Sequence, residues 1–259
     1  MFAGEVSCAV SAVIGPIPSS GVSGTEPCQN HGVVSTAERD DSAGPRRAYG
    51  GQSADVRRRQ RRARLLDAAM DAMARNEWRT ATVGKVCAAA GLNKRYFYES
   101  FADLDALAAA VVDDVAESVR TATVHAADSV TQDSVDALAF AAVAAAVHAL
   151  VDDPRRARIL LGGVSASPEL HAHRAAVMRR LTKVMIDNGR SVHGVELEAD
   201  PLARVAPAFI VGGTADAVLA FVDGRVRLSL DEFVTQLATL WLITGNGAAQ
   251  IARARTPPP

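Results

Sequence analysis

From residue 65 onward the apolar positions of this chain recur at helical spacing, and no run alternates as a half-buried strand would. Leu65, Leu66, Ala69, Met70 and Met73 lie on one stripe, which predicts a first helix. Val83, Val86 and Cys87 follow at i, i+3 and i+4 behind Thr82, whose hydroxyl is suited to capping a helix start. That short helix should stop at Gly91, the residue type that best tolerates a left-handed turn. Asn93 is placed to cap a third helix that carries Lys94, Arg95, Tyr96 and Tyr98, with Phe97 and Phe101 on its core side. Leu104, Leu107, Ala108, Val111, Val112 and Val115 then keep one stripe along a long fourth helix, which Asp103 can cap. Further helical runs are expected near 131–151, 154–162, 169–188, 202–222 and 231–244. The breakers between them are Asp153-Pro154, Ser167-Pro168, Asn188-Gly189, Asp200-Pro201 and Asp223-Gly224. The expected fold class is all-α.

The last two runs are apolar over more than one face. Leu202, Val205 and Phe209 mark one stripe of the first, and Val211, Val218, Leu219 and Val222 mark others. Gly212-Gly213 between them would permit close helix approach, and Phe233, Leu237, Leu240 and Trp241 form a stripe on the final helix. A helix apolar most of the way round is either deeply buried or shared with a partner. By contrast, residues 1–55 show no helical period and are rich in Gly, Ser and Pro. That stretch is expected to be disordered, because it cannot bury enough apolar surface to offset its ordering entropy. A disordered tail is also expected over 251–259.

Composition sharpens this picture in one respect, the placement of charge. The chain of 259 residues has a net charge of −1, yet residues 46–101 hold 13 Lys or Arg against 5 Asp or Glu, a local +8. A basic segment inside an otherwise acidic chain is the footprint of polyanion binding, with salt-sensitive affinity. Arg57, Arg58, Arg59 and Arg61 sit where a helix begins, although cations there oppose the macrodipole. They read as a basic arm reaching toward a minor groove. The longest apolar run, 137–151, is too short for a bilayer and contains His148, and the N-terminus lacks a positive region and carries Glu5. A soluble, cytoplasmic protein with no membrane partner is the expectation.

The three short helices together have the layout of a helix-turn-helix. A recognition helix enters the major groove with its N-terminal residues leading, which is where Lys94, Arg95 and Tyr96 stand. The run TVGKVCAAAGLNKRYFYESFADLDAL, Thr82 to Leu107, resembles the N-terminal domain of TetR-type (TetR/AcrR-like) transcriptional regulators. The resemblance rests on Thr82-Val83, Ala90-Gly91, Tyr98 with Phe101, and Asp105-Ala106-Leu107. It implies that Thr82 and Tyr98 touch phosphates, that Asn93 caps the recognition helix, and that Lys94, Arg95 and Tyr96 face base edges. Two positions depart from the family pattern: Ser100 replaces a histidine, and Leu104 replaces a phosphate-contacting lysine.

The resemblance further implies a three-helix DNA-binding domain at 56–101 and a larger helical ligand-binding and dimerisation domain at 102–250. A homodimer on a palindromic duplex operator follows, because a two-fold axis doubles what one short helix can read. Phe209, Gly212, Gly213, Val218, Phe233, Leu237 and Trp241 are the expected dimer-interface residues. Phe140, His148, His173 and Met178 are candidate lining residues for a small lipophilic effector, chosen as large or polar among small neighbours. Repression is the sign implied.

No catalytic constellation, cofactor or metal site is expected. His171 and His173 are two apart and point away from each other on a helix. Gly163 to Ser167 follows no strand, as a nucleophile elbow must, and Gly245-Asn246-Gly247 opens no helix after one. Three cysteines make no framework, and Cys87 reads as a small core residue. Ser100 and Leu104 keep an alternative open: a helical small-molecule-binding protein or enzyme whose DNA-binding domain is vestigial.

Overall fold

The computed structural model describes residues 53–130, 134–162, 167–193 and 200–255. The described residues are all-α, with no strand among them. Helix α1 spans Ala54–Ala74, α2 Val83–Ala90, α3 Lys94–Tyr98, α4 Leu104–Ser129 and α5 Val135–Val151. A single turn, α6 (Pro154–Ala157), leads into a π-helical turn at Arg158–Gly162. Helices α7 (Pro168–His193), α8 (Pro201–Val222) and α9 (Leu230–Arg255) complete the chain.

The starts follow the expected chemistry. Thr82 Oγ1 accepts from the Lys85 N–H at 3.2 Å, Asn93 Oδ1 from Tyr96 at 3.3 Å and Asp103 Oδ1 from Ala106 at 2.7 Å. Each satisfies one of the orphan donors of a first helical turn. Gly91 ends α2 at φ 62°, and a Cβ there would lie 2.6 Å from Arg64 Nη2. Glycine is favoured at that corner by its left-handed backbone, and the tip of the Arg64 side chain occupies the space a Cβ would take.

Leu65, Leu66, Ala69, Met70 and Met73 are buried on α1, and Val86, Cys87 and Ala90 on α2. They join Leu107, Ala108, Val111, Val112 and Val115 of α4 in one core that continues into α5, α7, α8 and α9. Burial pushes the Cys87 thiol above its ordinary pKa, which suits a small core filler. The helix-turn-helix and the other described helices α4, α5, α7, α8 and α9 therefore share one apolar interior.

Four boundaries differ from the sequence expectation. Ser53 caps α1 through its hydroxyl, so residues 53–55, expected in the disordered extension, form a helix start; residues 1–52 lie outside the described set. Helix α7 runs through Asn188-Gly189 to His193. The 154–162 run is a sharp α-to-π turn, and Arg174 Nη1 donates to the Leu160 and Leu161 carbonyls at 3.2 and 3.3 Å. Helix α9 continues past Gly245-Asn246-Gly247 to Arg255, so residues 251–255, expected in the tail, are helical. Ala252 is fully buried against Ala203 of α8, and Arg255 pairs with Asp200 at 3.7 Å. Tertiary packing outweighs the glycines there.

Candidate nucleic-acid interface and effector cavity

Phe97 is wholly buried and fastens α3 to the body, with its ring 6.0 Å from Phe101 and edge-on to Tyr98 at 5.3 Å. Because α3 is only five residues long, pinning this one side chain sends its neighbours outward. Lys94 and Arg95 are exposed, the Arg95 side chain at 83 %, and Tyr98 is 61 % exposed. Thr82 is exposed too. Its oxygen caps α2, leaving its O–H proton to donate outward.

The arginines of residues 57–64 do not form an arm. They occupy the first turns of α1, and several lie across the back of the helix-turn-helix. Arg58 Nη2 donates to the Glu99 carbonyl at 3.3 Å, and Arg61 pairs with the Glu99 carboxylate at 3.6 Å. The Arg61 guanidinium also sits 4.3 Å over the Tyr96 ring, and that of Arg62 4.8 Å over Phe101. Arg64 donates to the Gly91 carbonyl at 3.3 Å. Arg57 and Arg59 are exposed on the same helix. The helical start is tolerated against the macrodipole because these cations find partners on α2 and α3. One face of Tyr96 is covered by Arg61, which leaves its edge and hydroxyl for contact.

Glu99 is the residue the sequence reading missed. It receives Arg95 Nε at 3.1 Å, Arg61 on its other oxygen, and Arg58 on its carbonyl. Arg95–Glu99 is a readable i, i+4 pair. The Arg58 contact spans 41 residues and carries no local signal.

The larger half holds a cavity of about 200 Å³, partly open to solvent, between α4, α5, α7, α8, α9 and the π turn. Its walls are Val, Leu and Ala with Met178 and Trp241, and the two polar side chains reaching it are Thr123 and Thr214. Of the four expected lining residues only Met178 is there. Phe140 is 41 % exposed on α5. His148 faces Asp152 at 3.3 Å, and His173 Nε2 lies 2.8 Å from Asp113 Oδ1. The walls of this cavity are instead small aliphatic residues.

The expected dimer-interface residues also divide. Phe209 is 67 % exposed, and a Cβ added at Gly212 or Gly213 would meet nothing within 4 Å. Val205, Leu240, Ile243 and Ile251 extend this open apolar face over α8 and α9. Val218, Phe233 and Leu237 instead lie in the chain's own core, where Phe233 stacks on Phe221 at 4.5 Å. Trp241 turns inward to donate from Nε1 to Thr214 Oγ1 at 2.7 Å. Val218, Phe233 and Leu237 are corrections, whereas Trp241 is only part-buried: a broadly apolar helix does not say which of its faces meets its own core. Helix α8 is also long and apolar enough to cross a membrane, at mean hydropathy 1.8, although it carries Arg204 and Asp216.

Among the described residues no group of three or more His, Cys, Asp or Glu could hold a metal ion. One ion cluster joins the two halves. Arg155 of α6 donates to Asp67 and Asp71 of α1 at 2.9 and 2.6 Å, and to Asp153 at 2.7 Å.

No protein-family model and no curated sequence matches the chain. Solved structures do. The fatty acid degradation regulator FadR of Bacillus halodurans superposes at TM-score 0.59 and 18% identity, over 70% of this chain and 94% of that one. FadR of Bacillus subtilis, solved with stearoyl-CoA, gives 0.57 and 14% over 69% and 96%. A TetR-family transcriptional regulator of Streptomyces coelicolor gives 0.56 and 16% over 77% and 90%. The chain has the TetR-type fold.

Proposed function

We propose that this chain is a homodimeric, sequence-specific transcriptional regulator: a repressor that leaves a palindromic duplex operator when a small lipophilic effector fills the cavity. The observation that carries the reading is α3, pinned by Phe97 and backed by the arginines of α1, presenting Lys94, Arg95 and Tyr98 outward. Arg95 reads a guanine edge bidentately once it exchanges Glu99 for the base. Thr82 and Tyr98 contact phosphates on either side and set the register. Residues 56–101 form the DNA-binding part, and the helices from 102 onward form the effector-binding and dimerising part. Phe209, Gly212 and Gly213 meet their counterparts across the two-fold axis, which covers the open apolar face of α8 and α9. The protein acts in the cytoplasm and is not an enzyme.

Effector coupling requires that the ligand bind the released spacing of the two heads better than the operator-bound one. The cavity wall includes Leu160 and Leu161 of the π turn, directly after the Arg155 link to α1. A change in cavity filling is thereby carried to the base of the DNA-binding part.

The test is retention of DNA fragments flanking the chain's own gene across a salt series with excess competitor. Selective retention of one palindromic fragment is the expected result. Ligand binding with weak, sequence-blind DNA affinity at every salt would instead favour the helical ligand-binding protein with a vestigial head. The Arg95–Glu99 pair, which occupies the main base-reading group, speaks for that second reading.

A further inference from the structure

The geometry points to the chemical class of the effector: a small, uncharged, compact lipophile that accepts one hydrogen bond from Thr214. This rests on the reading of the cavity as the effector site and adds size, charge and polarity to it. The cavity holds about 200 Å³ and is partly open to solvent, so the limits of size and charge apply to the part of the ligand it buries. An apolar protein cavity of about 150 Å³ binds benzene, so by proportion this one takes roughly eight non-hydrogen atoms. By the same proportion a stearoyl chain, three benzene rings' worth of carbon, would need about 450 Å³.

The wall offers a buried charge no partner. No ionisable side chain lines the cavity among the described residues, so a buried carboxylate or ammonium would have no partner to offset its desolvation. The two hydroxyls differ. Thr123 Oγ1 spends its proton on the Val119 carbonyl at 2.8 Å. Thr214 Oγ1 accepts from Trp241 Nε1 at 2.7 Å, and its own proton has no acceptor among the described residues. A hydroxyl that accepts on one side and keeps a free proton on the other is a directed donor. A ketone, ester or ether oxygen on the ligand completes it, and the indole holds the hydroxyl in place.

The experiment titrates the full chain calorimetrically with acetophenone, ethylbenzene, benzoate and stearoyl-CoA, with Trp fluorescence followed in parallel. Both neutral probes should bind, and benzoate and stearoyl-CoA should not. Thr214→Val should weaken acetophenone about three- to tenfold, the worth of one neutral hydrogen bond, and leave ethylbenzene within about twofold. Thr214→Ser, which keeps donor and acceptor, should retain the acetophenone affinity. Ala215→Phe, which fills the space, should remove both. Unchanged helicity and DNA retention would show that the variants fold. Equal losses for both neutral probes in Thr214→Val would overturn the donor role. Stearoyl-CoA displacing ethylbenzene or releasing DNA would overturn the size limit and leave the effector reading standing. Failure of all four probes to bind would remove the effector site along with the inference.

Discussion

Replacing Arg155 by Met keeps most of the apolar stem and removes the only guanidinium that spans α1 and α6 among the described residues. Asp67, Asp71 and Asp153 all reach that group, at 2.9, 2.6 and 2.7 Å. The Arg155 side chain is 32 % exposed and that of Asp67 67 %, so solvent screens much of each pair. Exposed pairs are worth about 0.2–1 kcal/mol each. Three sharing one cation, with three carboxylates left facing one another when it goes, put the loss at about 1–3 kcal/mol. For a chain of this length that is roughly 3–10 °C in Tm. Arg75→Met is the control. It also meets Asp71, at 3.2 Å, but from a side chain 62 % exposed, and its loss should stay within about 0.5 kcal/mol.

The pH dependence has a definite sign. Hydrogen bonds from Arg155 hold the Asp153 carboxyl below the usual carboxylate range. A carboxylate depressed in the folded state stabilises above its unfolded pKa of about 4 and loses that contribution as pH falls through its lower folded value. The gap between wild type and Arg155→Met should therefore be full at neutral pH and close in acid. Urea melts at pH 7 and below pH 4, at low and high salt, read both. A loss below about 0.5 kcal/mol at pH 7 with an unchanged m-value, or a gap that widens in acid, would refute the assignment.

Three further outcomes follow from the same structure. Arg95→Ala should lose about 1–3 kcal/mol against one base pair per half-site, whereas Arg58→Ala should weaken all sequences alike; equal losses over an operator library for Arg95→Ala would remove its reading role. Phe209→Asp should convert the dimer to monomer in sedimentation without lowering helicity, because its side chain already stands in solvent in the single chain; a variant that stays dimeric puts the interface elsewhere. Gly91→Ala should cost about 1 kcal/mol, since an L side chain is strained at a φ of 62° even when the Arg64 tip swings aside; a neutral thermal melt would refute that strain.

Local signals in the chain were enough for the all-α class, the starts at Thr82, Asn93 and Asp103, and the corner at Gly91. Each of those depends on a few adjacent residues: a hydroxyl, amide or carboxyl oxygen three positions before an N–H, or a left-handed residue after an apolar stripe. The same holds for Phe97 facing in while Lys94 and Arg95 face out, which a five-residue helix enforces. Glu99 as the meeting point of Arg58, Arg61 and Arg95 needed α1 laid across α3. The arginines taken for an arm proved to be helical for the same reason. Helices apolar on several faces carry no mark of which face is spent internally, so Val218, Phe233 and Leu237 belong to the chain's own interior while Phe209 and Gly212 stay open. The cavity is the extreme case. Its walls come from six separate segments, and a void is a property of how they fail to meet. Periodicity is written in the neighbours of a residue, whereas burial, long-range ion pairs and empty space are written only in the packing.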